Sequence, residues 1–404
     1  MVKQAIKKKE GIRKSLSSFK EKLGLQVTQE NQSTTVSNAN KPQSWILMPK
    51  AFQEATKLPG IPEGTVIGCL GHSNVGKSTL MNHAIVSAQR QGLIPVIIDT
   101  ENAFSFQYAM NMGFQAEPIY GDVEVEDVDA ETGEITTHIE NRIINWDGNF
   151  IYYNNRILCD RFGDNDYSKG VKTKTKRKIA VIEDVAACIN ELLDAQDEGE
   201  IEQGFLFVWD SVGSIGSYRE FSAGGKIGNP MWAAGAISAA FNLICNDRIP
   251  SSKKMSSPYT NTFLYINKVW LDSTSNPMPS APPALMPKGG KSLGYSARCT
   301  LILGKQLTSG TKRLTATSKG FTYSYGIETN IKVAKNHLDA PHNVCYEGKL
   351  IATDVGFISN DDLEDYKKEH ISTILKELNK LSEGKATIKE DDVTFQEEES
   401  VELD

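Results

Sequence analysis

Apolar residues in this chain gather in short unbroken runs: "GTVIGCLG", "IPVIIDTEN", "GFLFVWDSVGS", "TFLYINKVW" and "ARCTLILGK". A run that is apolar at nearly every position suits a strand covered on both faces. Between the first two lies "STLMNHAIVSAQRQ", and before the third lies "IEDVAACINELLDAQ", both with helical spacing of apolar positions. Buried strands alternating with helices predict an α/β fold with a mostly parallel central sheet. The pattern starts at Trp45.

The rhythm breaks between residues 121 and 178. "VEVEDVDAETGEITTHIE" and "NFIYYNNRILCDRF" alternate around turn signals at Thr132–Gly133 and Asn154–Asn155, which predicts two β-hairpins. We expect a small antiparallel insertion over 121–178, closed by the basic run "KGVKTKTKRK". At the N-terminus, Ile6, Ile12, Leu16, Phe19 and Leu23 fall at spacings that predict a basic amphipathic helix within residues 1–27. Polar, breaker-rich residues 28–44 read as a linker. The α/β core is expected over 45–355, a helical segment over 356–389 and an acidic disordered tail over 390–404.

Charge sharpens the picture of the ends. Of 404 residues, 39% are hydrophobic and 24% charged, with a net charge of −7. Residues 390–404 hold eight acids and no base, so the remainder carries 44 basic and 43 acidic side chains. The first 24 residues hold eight Lys/Arg and two Glu. A basic arm suits a partner, and an acidic tail can compete with polyanions for basic sites. No run of eighteen apolar residues and no secretory h-region is present, so we expect an intracellular, cytoplasmic protein without a membrane span. The six cysteines form no CxxC pair and read as reduced thiols.

The first run leads into chemistry. Gly71, His72, Ser73, Asn74, Val75, Gly76, Lys77, Ser78 and Thr79 spell G-x-x-x-x-G-K-S-T between a predicted strand and a predicted helix. Glycines let backbone N–H groups curl around phosphate, and the helix N-terminus adds the positive end of its dipole. Lys77 can reach the β/γ oxygens of ATP, and Ser78 can hold Mg2+. Asp210 closes "FLFVWD" at a strand end, the setting of an acid that supports the metal. Glu101, two residues beyond Asp99, can orient an attacking water beside the γ-phosphate.

The order of these motifs carries a resemblance. The glycine loop, then "DTE", "WDSVGS", "LYINK", "PKGGKSLGYSA" and "IKVAKNHLDAP", resembles the RecA-type recombinases over roughly residues 45–355. "YSARCTLILGK" and the acidic tail are similar to the phage UvsX branch. The resemblance implies a RecA-like ATPase core that uses ATP and Mg2+. Its expected partners are single-stranded DNA and then homologous duplex, with the chain assembled as a homo-oligomeric helical filament. A mediator or single-strand-binding protein is a further possible partner.

The resemblance also implies roles for particular residues. Tyr108 falls where the family stacks an aromatic on adenine. Lys335 falls where a lysine crosses the subunit boundary to a neighbour's ATP, and His337 takes the second cationic position, although an imidazole is ordinarily neutral at pH 7. Two segments match the DNA-facing loops. One is 217–232, with Arg219, Lys226 and Met231; the other is 269–291, with Lys288, Gly289, Gly290 and Lys291. Basic, glycine-containing loops suit a phosphate backbone, and Met231 or Met286 can wedge between bases.

The chain departs from the family in places. Lys268 stands where bacterial members carry a glutamine thought to sense the γ-phosphate, and a lysine cannot accept a hydrogen bond. The "GGKSLGYSA" segment is one residue shorter, the large C-terminal domain is absent or reduced to a helix, and 121–178 has no counterpart. A hexameric DNA helicase sharing this core and a non-catalytic, ATP-switched DNA-binding assembly or mediator protein are the alternatives.

Overall fold

The computed structural model describes residues 43–128, 135–223, 230–254, 259–272, 284–287, 292–305, 310–338, 341–383 and 387–399. The expected N-terminal helix, and the linker apart from its last two residues, lie outside the described residues.

β1 (Trp45–Leu47) and β2 (Gly60–Pro62) pair antiparallel at the entry to the core. β3 (Val66–Gly71), buried throughout, runs into the glycine loop and the helix Lys77–Arg90. β4 (Ile94–Asp99) follows. The first expected hairpin is present as β5 (Glu117–Val128) and β6 (Ile135–Asp147), a two-stranded ribbon separate from the main sheet.

The second expected hairpin is corrected. β7 (Ile151–Asn154) lies parallel to β4 at the edge of the main sheet, and the chain turns at once into the helix Asn155–Phe162. Asn154 is that helix's N-cap, its side-chain oxygen accepting from the Ile157 N–H at 2.9 Å. Asparagine serves turns and caps alike, so the pair Asn154–Asn155 misleads as a hairpin signal. Residues 151–162 therefore belong to the core. Beyond the ribbon, the irregular part is a short hairpin, β8 (Asn165–Asp166) with β9 (Val171–Lys172).

β10 (Phe205–Asp210), β11 (Thr262–Asp272), β12 (Ala284–Pro287) and β13 (Cys299–Leu303) come next. They are followed by β14 (Lys312–Ser318), β15 (Phe321–Asn336), β16 (Glu347–Thr353), β17 (Gly356–Ile358) and β18 (Thr394–Glu399). The main sheet runs β17-β16-β15-β13-β3-β11-β10-β4-β7. From β13 to β7 every pairing is parallel; from β13 to β17 every pairing is antiparallel. The mostly parallel α/β sheet expected from the apolar runs is present, with an antiparallel wing added to it.

The runs are continuous because both faces are covered. Ile67, Cys69, Leu206 and Val208 pack into one core with the helix Lys77–Arg90. Their neighbours Val66, Leu70, Phe205, Phe207 and Trp209 pack into the other, with the helices Ile182–Asp197 and Pro230–Leu243. This is the two-residue strand period expressed on two buried sides. Five cysteines are buried and Cys345 is exposed, all as free thiols. No described helix is long and apolar enough to cross a membrane.

The disordered tail is also corrected. β18 pairs antiparallel with β14, from Thr394 opposite Thr317 to Glu399 opposite Lys312. Val393 and Phe395 pack against a third cluster that holds Leu314, Tyr325, Ile374 and Leu378. An open strand edge offers unpaired N–H and C=O groups, and this segment satisfies them while Glu397 and Glu398 stay at the surface. Residues 400–404 lie outside the described ones.

Candidate nucleotide site

The glycine loop needs its glycines. A Cβ on Gly71 would sit 2.6 Å from the Leu303 carbonyl oxygen, and Gly76 has φ +91° at the N-cap of the helix Lys77–Arg90. The turn is therefore tight, and its N–H groups converge with the start of a fourteen-residue helix. Lys77 is buried, and its amine donates to the His72 carbonyl across the loop. Burial holds its pKa below the ordinary lysine value, while Cys69, Asp210 and Glu101 favour the charged form. Ser78, next to it, is exposed.

Strand ends place three acids opposite the loop. Asp99 ends β4 and Asp210 ends β10, directly opposite one another in register, and Glu101 follows two residues on. Asp99 is committed to the fold: its carboxylate accepts from the Ala103 and Phe104 N–H groups and from the Tyr152 hydroxyl. Asp210 has its pKa raised to about 6, by burial first and then by Glu101 and Asp99. A cation held there would relieve that repulsion.

Glu101 is half-buried and doubly held. Ser211 Oγ donates to Oε1 at 2.5 Å, and the Lys268 amine lies 3.1 Å from Oε1 and 3.2 Å from Oε2. Burial pushes the carboxyl up, but the bonds from Ser211 and Lys268 outweigh it, leaving the pKa below the ordinary range. Thr100 braces the turn between them: its N–H donates to the Asp210 carbonyl, and its hydroxyl accepts from Trp209 Nε1 and Ser214 Oγ.

Tyr108 sits at the mouth of the loop. Its hydroxyl bonds Thr79 Oγ1 at 2.8 Å and donates to the Thr353 carbonyl at 2.9 Å. It lines a cavity of about 500 Å3 that the loop shares with Arg313, Tyr323, Gly326 and Asp354. These wall residues come from the antiparallel wing and its turns. No local motif marks them, because they reach the loop only through β15 and β16 pairing.

The remaining expected residues lie elsewhere. The Lys335 amine donates to the Gly294 and Tyr295 carbonyls at 2.8 and 3.0 Å. His337 is exposed and lines a separate cavity of about 410 Å3 with Tyr295 and Arg298. Arg219 is exposed and stacks its guanidinium 4.8 Å from the Trp232 ring, and Met231 is 77% exposed. Lys226, Lys288, Gly289, Gly290 and Lys291 lie outside the described residues.

Both expected loops are shorter than their sequence suggests. "SYRE" is a capping box: Ser217 and Glu220 cap a short helix, Tyr218–Ser222, and a further helix begins at Pro230. That S-x-x-E signal was available in the sequence. In the other loop, β11 continues to Asp272 and β12 pairs back onto it. Lys268 is thus inside a strand, in register with Gly71, rather than at its end.

Comparison with known proteins agrees with this architecture. Residues 20–148 match the RecA N-terminal domain, a stretch that includes the glycine loop and Glu101. Protein RecA of Aquifex aeolicus is 39% identical over 70 residues, 17% of this chain and 20% of that protein. Protein RecA of Thermotoga maritima is 35% identical over 85 residues, 20% and 24% of the two chains. Protein RecA of Treponema pallidum is 35% identical over 93 residues, 23% and 21%. The chain thus matches about a fifth of the length of these relatives. With the domain match set inside a mostly parallel sheet, the chain carries a region similar to the RecA N-terminal domain and resembles the RecA-like recombinases.

Proposed function

We propose that this protein is an ATP-dependent DNA recombinase. In this reading it coats single-stranded DNA as a homo-oligomeric helical filament and promotes pairing and strand exchange with homologous duplex. One observation carries the reading: a glycine loop with a buried lysine faces a half-buried carboxylate, Glu101, that is held ionised at a strand end. The tight turn that Gly71 and Gly76 permit, the N–H groups of the helix start and the Lys77 cation fit a triphosphate. Ser78 and Asp210 are the residues that would hold Mg2+; burial first, and then repulsion from Glu101 and Asp99, raises Asp210, and a cation there would offset the repulsion.

Each residue then has a task. Lys77 exchanges its bond to the His72 carbonyl for phosphate oxygens. Glu101 orients the attacking water and accepts its proton, and the bonds from Ser211 and Lys268 set its readiness. Mg2+, when bound, would supply neutralisation of the phosphate charge. Tyr108, tethered by its hydroxyl, presents its ring to the base. Lys335 bonds carbonyls outside the glycine loop, which supports service to a neighbouring protomer's site, with His337 beside it. Arg219 and Met231 belong to the single-strand contact. The segment "YSARCTLILGK" supports a phage UvsX-type member, acting inside the infected cell.

The test is turnover of ATP with and without single-stranded DNA, together with electron microscopy of the protein on single strands with a non-hydrolysable ATP analogue. Filaments and DNA-stimulated turnover are expected. Rings that open a fork without strand exchange would make it a helicase, and binding without turnover would make it an assembly or mediator protein.

A further inference from the structure

We propose that the lysine-rich segment 169–178 is a second nucleic-acid contact, a strip that receives a sugar–phosphate backbone beside the segment 217–223. The proposal deepens the reading above and rests on it for the statement that the protein binds DNA. It starts from a run the nucleotide site leaves unused: Lys169, Lys172, Lys174, Lys176, Arg177 and Lys178, with no acid between them.

One of the six has a different job from the rest. Arg177 is buried, and its guanidinium donates to both oxygens of fully buried Asp184, at 2.9 and 2.7 Å, and to the Phe162 carbonyl at 2.9 Å. It also lies 5.5 Å from the Tyr218 ring centre, 5.7 Å from Tyr167 and 6.0 Å from Phe221. The Tyr167 and Tyr218 rings meet edge to face at 5.6 Å. The Ile182 N–H donates to the Gly216 carbonyl and the Tyr218 N–H to Glu183, at 2.9 and 2.8 Å. A buried bidentate pair with an aromatic collar fixes geometry. The basic segment and the base of the Arg219 segment are therefore joined by a rigid cluster.

The other cations face water. Lys172, Lys174, Lys176 and Lys178 are all exposed. Lys172 pairs with Asp164 at 2.9 Å with its side chain 65% exposed, Lys169 is 3.8 Å from Asp166, and the Lys176 amine donates to the Asp160 carbonyl. Such exposed pairs are weak and screened by salt, so a phosphate can displace them. Among the described residues, no carboxylate forms an ion pair with Lys174 or Lys178. Exposed Thr175 adds a hydroxyl, while the Thr173 hydroxyl donates to the Asp164 and Thr175 carbonyls and holds the segment's shape. Repeated cations with no acid in the run suit a uniformly charged polymer better than a protein surface, which mixes both signs, and exposed Val171 and Ile179 flank them.

The test uses the full chain carrying Lys172→Ala, Lys174→Ala and Lys178→Ala together, leaving Arg177 in place. Affinity for fluorescent single-stranded and duplex oligonucleotides is measured across salt concentrations with a non-hydrolysable ATP analogue. ATP turnover without DNA should match the wild type, showing an intact fold. We expect DNA affinity to fall tenfold or more at low salt. On duplex, the dependence of log K on log salt should flatten by about 0.9 for each phosphate that the variant no longer neutralises. Equal affinity and slope in wild type and variant overturn the strip while leaving the DNA reading intact. A wild type that does not bind DNA removes that reading and the strip with it. Unchanged DNA affinity with altered self-assembly would make the segment a protein contact and also overturn the proposal.

Discussion

The Lys268 amine reaches Glu101 across an intervening strand, β10, lying 3.1 Å from Oε1 and 3.2 Å from Oε2. The carboxylate assigned to orient water is therefore bonded to a cation on the strand that leads away toward residues 273–283. Lys268 is paired with Gly71 in register, so its backbone lies beside the start of the glycine loop. Replacing Lys268 with Gln removes the cation that offsets burial at Glu101. The Glu101 carboxyl should then titrate higher, and the acidic limb of the pH–turnover profile should move to higher pH. An unchanged limb would mean that Glu101 does not govern turnover.

Glu101→Gln keeps the shape and the Ser211 bond partner but loses the proton acceptor. ATP and DNA should still bind, while hydrolysis falls by roughly 10²–10⁴-fold. Single-turnover assays separate the two effects, and a variant with wild-type turnover would reduce Glu101 to a structural anchor for Lys268.

Lys77→Ala removes the only cation inside the loop among the described residues. Nucleotide binding by equilibrium titration should weaken sharply and turnover should vanish, with the circular dichroism spectrum unchanged. Retention of ATP affinity in that variant would remove the phosphate role from the loop.

His83 gives the fold a pH dependence of its own. It is buried, its Nε2 accepts from the Phe357 N–H at 2.7 Å, and burial pushes its pKa down to about 4. The unfolded chain binds the proton at the ordinary value near 6.5, so protonation favours unfolding. The contribution is present above about 6.5 and is lost as pH falls toward 4. It is on the order of 3 kcal/mol in total. Denaturant titrations at pH 7 and pH 5 should show part of this loss, about 2 kcal/mol, in the wild type and much less of it in His83→Gln.

Truncation distinguishes the two parts of the acidic terminus. Ending the chain after residue 399 removes two acids and should leave stability unchanged. Ending it after 389 exposes the β14 edge and uncovers the packing around Phe395, a loss of about 1–3 kcal/mol. Thermal melts of the two truncations check this. Equal melting points would show that β18 adds nothing to the sheet.

The local pattern along the chain determined the parallel half of the sheet. Each of its buried strands must satisfy two cores at once, and that requirement shows as an unbroken apolar run, as in Phe205–Asp210. It determined the glycine loop as well, because the left-handed backbone at Gly76 is a local need, although the close approach at Gly71 comes from distant Leu303. The ribbon was legible from alternation around a turn. Tertiary structure decided what depends on partners distant in sequence. β7 looks like a hairpin arm until β4 accepts it as a parallel edge strand. The acidic terminus looks unstructured by charge until the open β14 edge offers it hydrogen bonds. Lys268 is one lysine among many until β10 separates it from Glu101 by a single strand width, and electrostatic coupling follows distance in space rather than along the chain.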